Sequence, residues 1–407
     1  MKILILDAYF KPETTAFTHL EQDLIEALVN EGHEIVIICP TPTRGIDKKT
    51  AKKYSGIKEE QLYDGKVFVK RFWAPQEKKG FINRAFRYFW CNHRFYHIAK
   101  NVKGVDLIFS NSTPPVLGLV NRKLKNKLHV PFVYSLQDIF PDSLVKAGMT
   151  KKGSLLWRVG RKIENKTYAA ADKIIVISED FKRNILAKIV PEEKISVIYN
   201  WVDTETIKPI DKKDNKLFDE LGLDIEDYIV LYAGNFGKAQ GVKVIIDAAN
   251  LLKDNKKIRF VLFGGGAEYE EIKGYAKSLN LSNVIINPLL PIDRISEVYS
   301  MGSVNIITCK KGFGHCSFPS KTWSIMACNS YIIASYDLDS ELASVIKTSG
   351  VGQVVEPDNA KSLADAILNF DACDNYVDGR AWLLKNADKK FCVNQYVDIL
   401  EQCGQQQ

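Results

Sequence analysis

The fold follows from one stretch of sequence, Phe318-Pro319-Ser320-Lys321-Thr322-Trp323-Ser324-Ile325-Met326-Ala327-Cys328-Asn329. It lies between two apolar runs, residues 304–309 and 331–335, and each run predicts a buried strand. Pro319-Ser320 predicts a helix start with Ser320 as the cap, and Asn329 predicts a left-handed helix end. The stretch therefore predicts a strand-helix-strand unit of a parallel sheet.

The same helix start could bind an anion. A helix N-terminus presents unpaired N–H groups and a partial positive charge, and Lys321 adds a full charge. Both favour a phosphate or diphosphate. A plain crossover helix with a solvated lysine is the alternative that this stretch alone leaves open.

Length and composition indicate a globular protein of two domains. A chain of 407 residues exceeds the size at which single cores stop growing, and 46% hydrophobic with 26% charged residues is ordinary for a soluble protein. Eight cysteines without a C-x-x-C pair predict reduced thiols. Residues 1–7 predict a core strand rather than a signal peptide, and no window is apolar enough for a transmembrane helix. We therefore expect a cytoplasmic protein.

Strands alternate with helices in two successive sets. In the first half we predict strands at 2–7, 34–39, 67–72, 105–110, 132–136, 173–177 and 195–199, and in the second at 228–233, 259–263, 284–287, 304–309, 331–335 and 352–355. No G-x-G-x-x-G follows the first strand, so the dinucleotide fingerprint is absent. The pattern predicts two Rossmann-like domains facing across a cleft, residues 1–205 and 206–385.

Three loops of the second half fall at strand ends. They are the glycine-rich residues 233–241 with Lys238, the Gly264-Gly265-Gly266 run, and the Pro319-Ser320-Lys321 helix start. Glycines allow close approach of the backbone to a ligand. Since the carboxyl ends of parallel strands share one edge of a sheet, the three loops together favour a site for an anionic ligand.

These loops carry a resemblance to a known family. Asn200-Trp201-Val202-Asp203, the Gly-Asn-x-Gly-x-x-x-Gly loop at 234–241, the three glycines and Pro-Ser-Lys resemble glycosyltransferase family four, of the GT-B fold. In the first half, Gly32-His33-Glu34-Ile35, Ser112-Thr113-Pro114-Pro115 and Gln137-Asp138-Ile139-Phe140-Pro141-Asp142 resemble its bacterial surface-polysaccharide branch. Ser-Lys-Thr-Trp-Ser-Ile-Met-Ala-Cys is most similar to N-acetyl-L-fucosamine transferases of O-antigen assembly.

The resemblance implies a retaining transfer of a sugar from a UDP-sugar to a polyprenyl-diphosphate-linked saccharide, at the inner face of the cytoplasmic membrane and without a cofactor. It also implies that a last helix, about 386–407, packs back on the first domain. The implied catalytic residues are Asp138, Lys321 and Glu341. The implied donor-binding residues are Gly234, Asn235, Gly237, Lys238, Gln240, Gly264, Gly265, Gly266, Pro319, Ser320, Lys321 and Ser340.

The chain departs from the family at several positions. The family's two glutamates are replaced by Cys316 and Ser324, and its first Gly-Gly by Thr14-Thr15-Ala16. Asn235 and Gln240 stand where many members have Arg and Lys, and Glu341 could take over part of the missing carboxylate role. Two alternatives remain open: a donor-binding pseudoenzyme that acts as a membrane scaffold, and a UDP-sugar epimerase or hydrolase of the same fold.

Two further features concern the donor. Asp337-x-Asp339 could share a Mg²⁺ or Mn²⁺ ion, but a solvated turn is the favoured interpretation, because lysines and helix amides already offer positive charge. We therefore predict no metal. His315, in the loop before the key helix, could touch the donor sugar or be incidental.

The net charge of +7 comes from one segment: residues 70–103 contain nine basic residues and only Glu77 as an acid, which leaves the rest of the chain at −1. As a helix from Phe81 the segment has two aromatic faces. Ile82, Phe86, Phe89, Trp90, His93 and His97 form the first, and Phe81, Tyr88 and Phe95 the second. The plain interpretation places the first face in the core and leaves the second partly exposed.

The sharper hypothesis is that basic and aromatic residues dock this segment on an anionic membrane, near a lipid-linked acceptor. The predicted membrane residues are Lys78, Lys79, Arg84, Arg87, Trp90 and Arg94. Nucleic acid would also favour a basic patch, but no recognised binding motif accompanies this one.

Overall fold

The computed structural model describes residues 1–13, 15, 17–76, 81–146, 148–188, 190–315, 318–370 and 378–405, with backbone only at 81, 82, 84 and 85. The chain forms two compact units. The first consists of Met1–Tyr199 with Cys392–Gln407, and the second of Asn200–Phe391. The sequence placed these boundaries at residues 205 and 385.

The first unit is built on an eight-stranded sheet of order β3-β4-β2-β1-β5-β6-β7-β8, parallel except for β3. The strands are β1 (Lys2–Leu6), β2 (Glu34–Pro40), β3 (Glu59–Leu62), β4 (Val67–Phe72), β5 (Leu107–Asn111), β6 (Phe132–Leu136), β7 (Lys173–Val176) and β8 (Ile195–Val197). Its helices are α1 (Thr18–Asn30), α2 (Lys48–Ser55), α3 (Phe81–Ala99), α4 (Leu117–Leu128), α5 (Asp142–Lys146), α6 (Leu155–Ala170) and α7 (Glu179–Leu186). Apolar residues on both sides of the strands explain why helices cover both faces.

Helix α3 turns a different face to the core from the one that the sequence suggested. The buried stripe is Arg87, Cys91, Phe95 and Ala99, at the four-residue spacing of one helical face. Phe95 packs edge-on against Phe72, with ring centroids 5.0 Å apart. Phe86 and Phe89 of the first predicted face are instead 59% and 75% exposed. The prediction that this face lies in the core is therefore wrong.

The second unit has a fully parallel six-stranded sheet of order β11-β10-β9-β12-β13-β14. The strands are β9 (Tyr228–Asn235), β10 (Ile258–Gly265), β11 (Val284–Pro288), β12 (Val304–Thr308), β13 (Ile332–Ser335) and β14 (Gly352–Val355). The helices are α8 (Leu217–Leu221), α9 (Lys243–Leu251), α10 (Tyr269–Ser278), α11 (Ile295–Met301), α12 (Lys321–Ala327), α13 (Glu341–Ser349), α14 (Ala360–Leu368) and α15 (Gly379–Asn386), and a last helix, α16 (Lys389–Gly404), continues from this unit into the first. Gly234 and Gly264 are register partners at the carboxyl ends of β9 and β10, so the glycine-rich loops start side by side.

The last helix, α16, belongs to the first unit from Cys392 onward. The hydroxyl groups of Tyr396 and Ser135 are 3.0 Å apart, and the His33 Nε2 atom lies 2.9 Å from the Glu401 carboxylate. These contacts join the end of the chain to β6 and to the turn before β2.

Candidate active site

Lys321 is the central residue of the second unit's carboxyl edge. It begins α12, and its ammonium lies 4.0 Å from the centroid of the Tyr232 ring. Among the described residues no carboxylate forms an ion pair with it. Burial lowers the pKa of Lys321 from its ordinary value of 10.5 to about 7, because the charged form is removed from water without a compensating anion. An anion that docks here would supply that missing partner.

Gly234 makes room for this lysine. Its φ is +151°, which side chains rarely adopt, and a Cβ at Gly234 would overlap the Lys321 Nζ atom. The Tyr232 hydroxyl donates a hydrogen bond to the Asn235 carbonyl at 2.8 Å and holds the strand end beneath. The structure thus brings the predicted residues Gly234 and Lys321 into contact.

The helix start differs in detail from the prediction. Ser320 has helical φ and ψ of −56° and −26°, makes no capping hydrogen bond and is exposed. A capping side chain requires an extended backbone at that position, which explains why the predicted cap is wrong. Thr322 fixes the turn in another way, because both its amide and its hydroxyl donate to the Pro319 carbonyl, at 3.0 and 2.7 Å. The predicted left-handed end at Asn329 is confirmed by its φ of 52°.

The loop after β9 is closed by the two residues that replace family cations. The Asn235 side-chain amide donates to the Gln240 side-chain carbonyl at 3.3 Å, across Gly237. Lys238 is exposed at the tip of this loop. The loop therefore keeps one cation, Lys238, directed to solvent.

Two of the three glycines after β10 are explained by the protein itself. A Cβ at Gly264 would overlap the buried ring of Phe236, and a Cβ at Gly266 would overlap the Asn235 side chain. Gly265 has open space around its Cβ position. The sequence attributed all three to a close ligand, whereas the packing of the two loops requires Gly264 and Gly266.

The Asp-x-Asp segment holds the loop between β12 and α12 in place. The Asp337 carboxylate accepts hydrogen bonds from the Gly312 and Gly314 amides at 2.9 and 2.7 Å. Asp339 lies 3.1 Å from the Nε2 atom of His315. The two carboxylates therefore have different partners, and the described residues contain no cluster of three or more His, Cys, Asp or Glu suited to a metal ion.

Ser340 and Glu341 lie at the start of α13. The Ser340 hydroxyl donates to the Asp337 carbonyl at 2.6 Å and accepts from the Ala343 amide at 3.3 Å, which is the geometry of a helix cap. Glu341 follows in the first turn and is buried. Ser324, which replaces one of the family's glutamates, is buried in α12. Cys316, which replaces the other, lies outside the described residues. Thr14 and Ala16 of the first loop lie outside them as well.

In the first unit, the two predicted motifs meet at Ser112. Its hydroxyl accepts hydrogen bonds from the Gln137 and Asp138 amides, at 2.9 and 3.1 Å. Asp138 has an exposed outer side, yet partial withdrawal from water raises the pKa of its carboxyl above the ordinary 3.8. Asp142, further along the loop, is paired with Arg161 at 2.7 Å and with Lys188 at 2.9 Å. Asp138 is therefore carried on a braced loop.

Sequence reasoning missed a buried carboxyl cluster beside β1. Burial raises the pKa of Asp7 and raises that of Glu21 well above its ordinary value, and the two carboxyl groups form a hydrogen bond with each other. Glu13 accepts from the amides of Thr43 and Arg44, both at 2.6 Å. The sequence feature that could have indicated this cluster is the position of Asp7 directly after a core strand. The cluster positions the loop between β1 and α1.

The predicted membrane residues do not all lie on a surface. Arg87 is only 2% exposed, and its guanidinium donates to the Pro75 carbonyl. Burial raises the pKa of Glu13, and the charge of Arg87 partly opposes that rise. The assignment of Arg87 to the membrane is therefore wrong. Trp90 and Arg94 are half-buried, and the Trp90 indole donates to the Trp73 carbonyl at 3.0 Å. Lys78, Lys79 and the side chain of Arg84 lie outside the described residues.

Two family models match successive parts of the chain. The model described as Glycosyltransferase Family 4 matches residues 22–206, and the model described as Glycosyl transferases group 1 matches residues 213–382. The chain belongs to the glycosyltransferases of the GT-B fold. The predicted class of two Rossmann-like domains and the predicted enzyme class are confirmed.

Individual relatives agree with this assignment. The glycosyltransferase is 26% identical to "Probable glycosyltransferase WbjE" of Pseudomonas aeruginosa, over 65% of this chain and 67% of WbjE. It is 23% identical to "Putative colanic acid biosynthesis glycosyl transferase WcaI" of Escherichia coli, over 98% and 99% of the two chains. Its fold is shared with Anabaena Alr3699/HepE, solved in complex with UDP and glucose, at a TM-score of 0.71 and 17% identity over 99% and 100% of the chains.

Proposed function

We propose that this glycosyltransferase moves a sugar, with retention, from a UDP-sugar to a polyprenyl-diphosphate-linked saccharide. The observation that carries the proposal is Lys321, whose ammonium lies beside Gly234 at the carboxyl edge of a parallel sheet, without a carboxylate partner among the described residues. Ligands of parallel α/β sheets bind at this edge.

The donor would lie with its diphosphate over Gly234 and Lys321. Negative charge develops on the departing UDP in the transition state, so a fixed ammonium there lowers the barrier more than it strengthens ground-state binding. Lys238 and the exposed Ser320 lie on neighbouring loops of the same edge and could also contact the diphosphate. The UDP complex of HepE, which has the same fold, supports a UDP-sugar as donor.

Asp138 and Glu341 are the proposed carboxylates of the reaction. Asp138 would contact the reacting sugar from the first unit, and partial burial raises the pKa of its carboxyl above the ordinary 3.8, which is the direction that favours proton exchange. Glu341 would replace part of the lost glutamate pair from the start of α13. We propose no metal and no cofactor, since the two carboxylates of Asp337 and Asp339 already have partners.

The acceptor would be presented at a membrane surface, on the inner face of the cytoplasmic membrane. Trp73, Phe86 and Phe89 are all exposed large aromatics on or beside α3, as expected of side chains that enter the headgroup layer. No helix in the described ranges is both long and apolar enough to cross a bilayer. The relative WcaI is named for colanic acid biosynthesis, which supports a polysaccharide as the product, and we propose that this polysaccharide is the O-antigen.

N-acetyl-L-fucosamine is the proposed donor sugar, because the α12 stretch resembles transferases of that sugar. The test is a thermal-unfolding panel of UDP, UDP-sugars and GDP-sugars, followed by transfer to a polyprenyl-diphosphate-linked acceptor. A ligand that binds only the folded state raises the melting temperature. We expect a shift with UDP and the largest shift with UDP-N-acetyl-L-fucosamine. A shift with GDP-sugars alone would overturn the donor assignment, and a transfer product of inverted configuration would overturn retention.

A further inference from the structure

Helices α3, α4 and α6 cover the same face of the first sheet. Phe95 of α3, Leu124 of α4 and Tyr168 of α6 belong to one hydrophobic core, and α4 packs between the other two helices. Their outward sides therefore form one continuous surface of the first unit, called here the α3–α4–α6 face.

The α3–α4–α6 face carries many exposed cations and almost no carboxylates, although the charge count along the sequence assigned the excess charge to residues 70–103 alone. The sequences of α3 and α4 contain no Asp or Glu, and α6 contains only Glu164, which is buried and paired with Arg161 at 2.6 Å and Lys188 at 2.7 Å. The exposed cations of α4 and α6 and of the turn before α6 are Arg122, Lys123, Lys127, Lys151, Lys152, Arg158, Lys162 and Lys166.

Exposed aliphatic side chains lie among these cations. Leu155 is 79% exposed, and Met149 and Val159 are also exposed. Leu155 and Val159 are one turn apart at the start of α6, so they lie on one side of that helix. Adjacent exposed apolar side chains with a charged rim are typical of an interaction surface.

The topology places these groups at one end of the sheet. Each crossover helix of a parallel sheet starts near the carboxyl ends of the strands, so the start of α6 and the first half of α3 lie at the same edge. Leu155 and Val159 on α6, and Phe86 and Phe89 on α3, are therefore on the edge that also carries Asp138.

We propose that α4 and the start of α6 form a second membrane contact, with Met149, Leu155 and Val159 in the headgroup layer and the surrounding cations on anionic lipid. This combination of inserted apolar groups and a basic rim is how interfacial helices bind anionic bilayers. A nucleic acid would use the cations but would gain nothing from Leu155. The inference rests on the proposed action at a membrane, and it adds a contact outside the segment 78–103.

The test uses the full chain and flotation with vesicles of phosphatidylglycerol and phosphatidylcholine, beside vesicles of phosphatidylcholine alone. One variant combines Leu155→Ser with Val159→Ser. A second combines Arg122→Gln, Lys123→Gln, Arg158→Gln and Lys162→Gln. The matched controls are Lys48→Gln, Lys49→Gln, Lys52→Gln and Lys53→Gln on α2, and Leu251→Ser with Leu368→Ser in the second unit, all of them exposed positions.

We expect the charge variant to bind anionic vesicles at least about tenfold more weakly, since each cation near an anionic surface contributes separately to binding. The serine variant should bind about fivefold more weakly. Both controls should bind like wild type, and added salt should weaken wild-type binding.

Equal loss in the α2 control, or no loss in either test variant, would overturn the inference. Tighter binding to duplex RNA than to vesicles, reduced by the charge variant but not by the serine variant, would overturn it in favour of nucleic acid. The UDP-induced rise in melting temperature is measured on the same samples. It shows that each variant is folded, and its absence in wild type would reject the proposed donor site without touching the vesicle result.

Discussion

Lys321→Met removes one positive charge while keeping most of the aliphatic side chain. Burial lowers the pKa of Lys321 from 10.5 to about 7. One pKa unit corresponds to about 1.4 kcal/mol, so at pH 6 the charge disfavours the folded protein by up to about 5 kcal/mol. We expect the methionine variant to be more stable than wild type at pH 6. The gain should be smaller than that limit, because Lys321 is only half-buried and its contact with the Tyr232 ring is lost.

The sign of the pH dependence follows from proton binding. Between pH 7 and 10.5 the unfolded chain holds the Lys321 proton more firmly than the folded chain does. The free energy of unfolding of wild type therefore rises with pH in this window, by up to about 1.4 kcal/mol per pH unit. The variant lacks this contribution, so its advantage over wild type should shrink between pH 7 and 10.

A bound diphosphate reverses the balance, because it favours the ammonium form. A hydrogen bond to a charged group contributes about 1.5–3 kcal/mol, so the variant should bind UDP about tenfold to a hundredfold more weakly. Urea unfolding at pH 6 and pH 9 and calorimetric titration with UDP measure the two effects. Lys256→Met, at an exposed lysine just before β10, is the control for the loss of a lysine charge away from this edge. A variant that is less stable than wild type at pH 6 and binds UDP unchanged would refute the reasoning.

Three other changes test the remaining parts of the site. Gly264→Ala should destabilise the fold by about 1–3 kcal/mol in urea unfolding, because its Cβ overlaps Phe236, whereas Gly265→Ala should change stability little; similar losses in both would contradict the packing explanation. Ser340→Ala should lower the free energy of unfolding by about 1 kcal/mol through loss of the α13 cap and leave UDP affinity unchanged, and a large loss of affinity would instead make Ser340 a donor ligand. Asp138→Asn should reduce transfer about a hundredfold or more while the UDP-induced rise in melting temperature persists, and full activity in the variant would exclude Asp138 from catalysis.

The sequence by itself predicted the architecture and the centre of the proposed donor site. Strands and helices have different spacings of apolar residues, and these spacings can be recognised within a short window of sequence. They predicted the strands on both sides of α12. Lys321 and Gly234 were predicted to belong to that site for a similar reason, since a lysine at a helix start and a glycine at a strand end can be recognised from the local sequence. Their mutual contact, with Lys321 against the Gly234 backbone, required the fold.

Tertiary structure decided which face of each element is buried and what each polar group binds. The sequence of α3 offers two aromatic faces of similar character, and only packing against Phe72 selected the one with Phe95. Arg87 is buried where it meets the Pro75 carbonyl and, from a distant part of the chain, Glu13. Gly264 is needed because the Phe236 ring from the neighbouring loop lies against it. Such contacts depend on residues far apart in sequence, so local pattern carries no record of them.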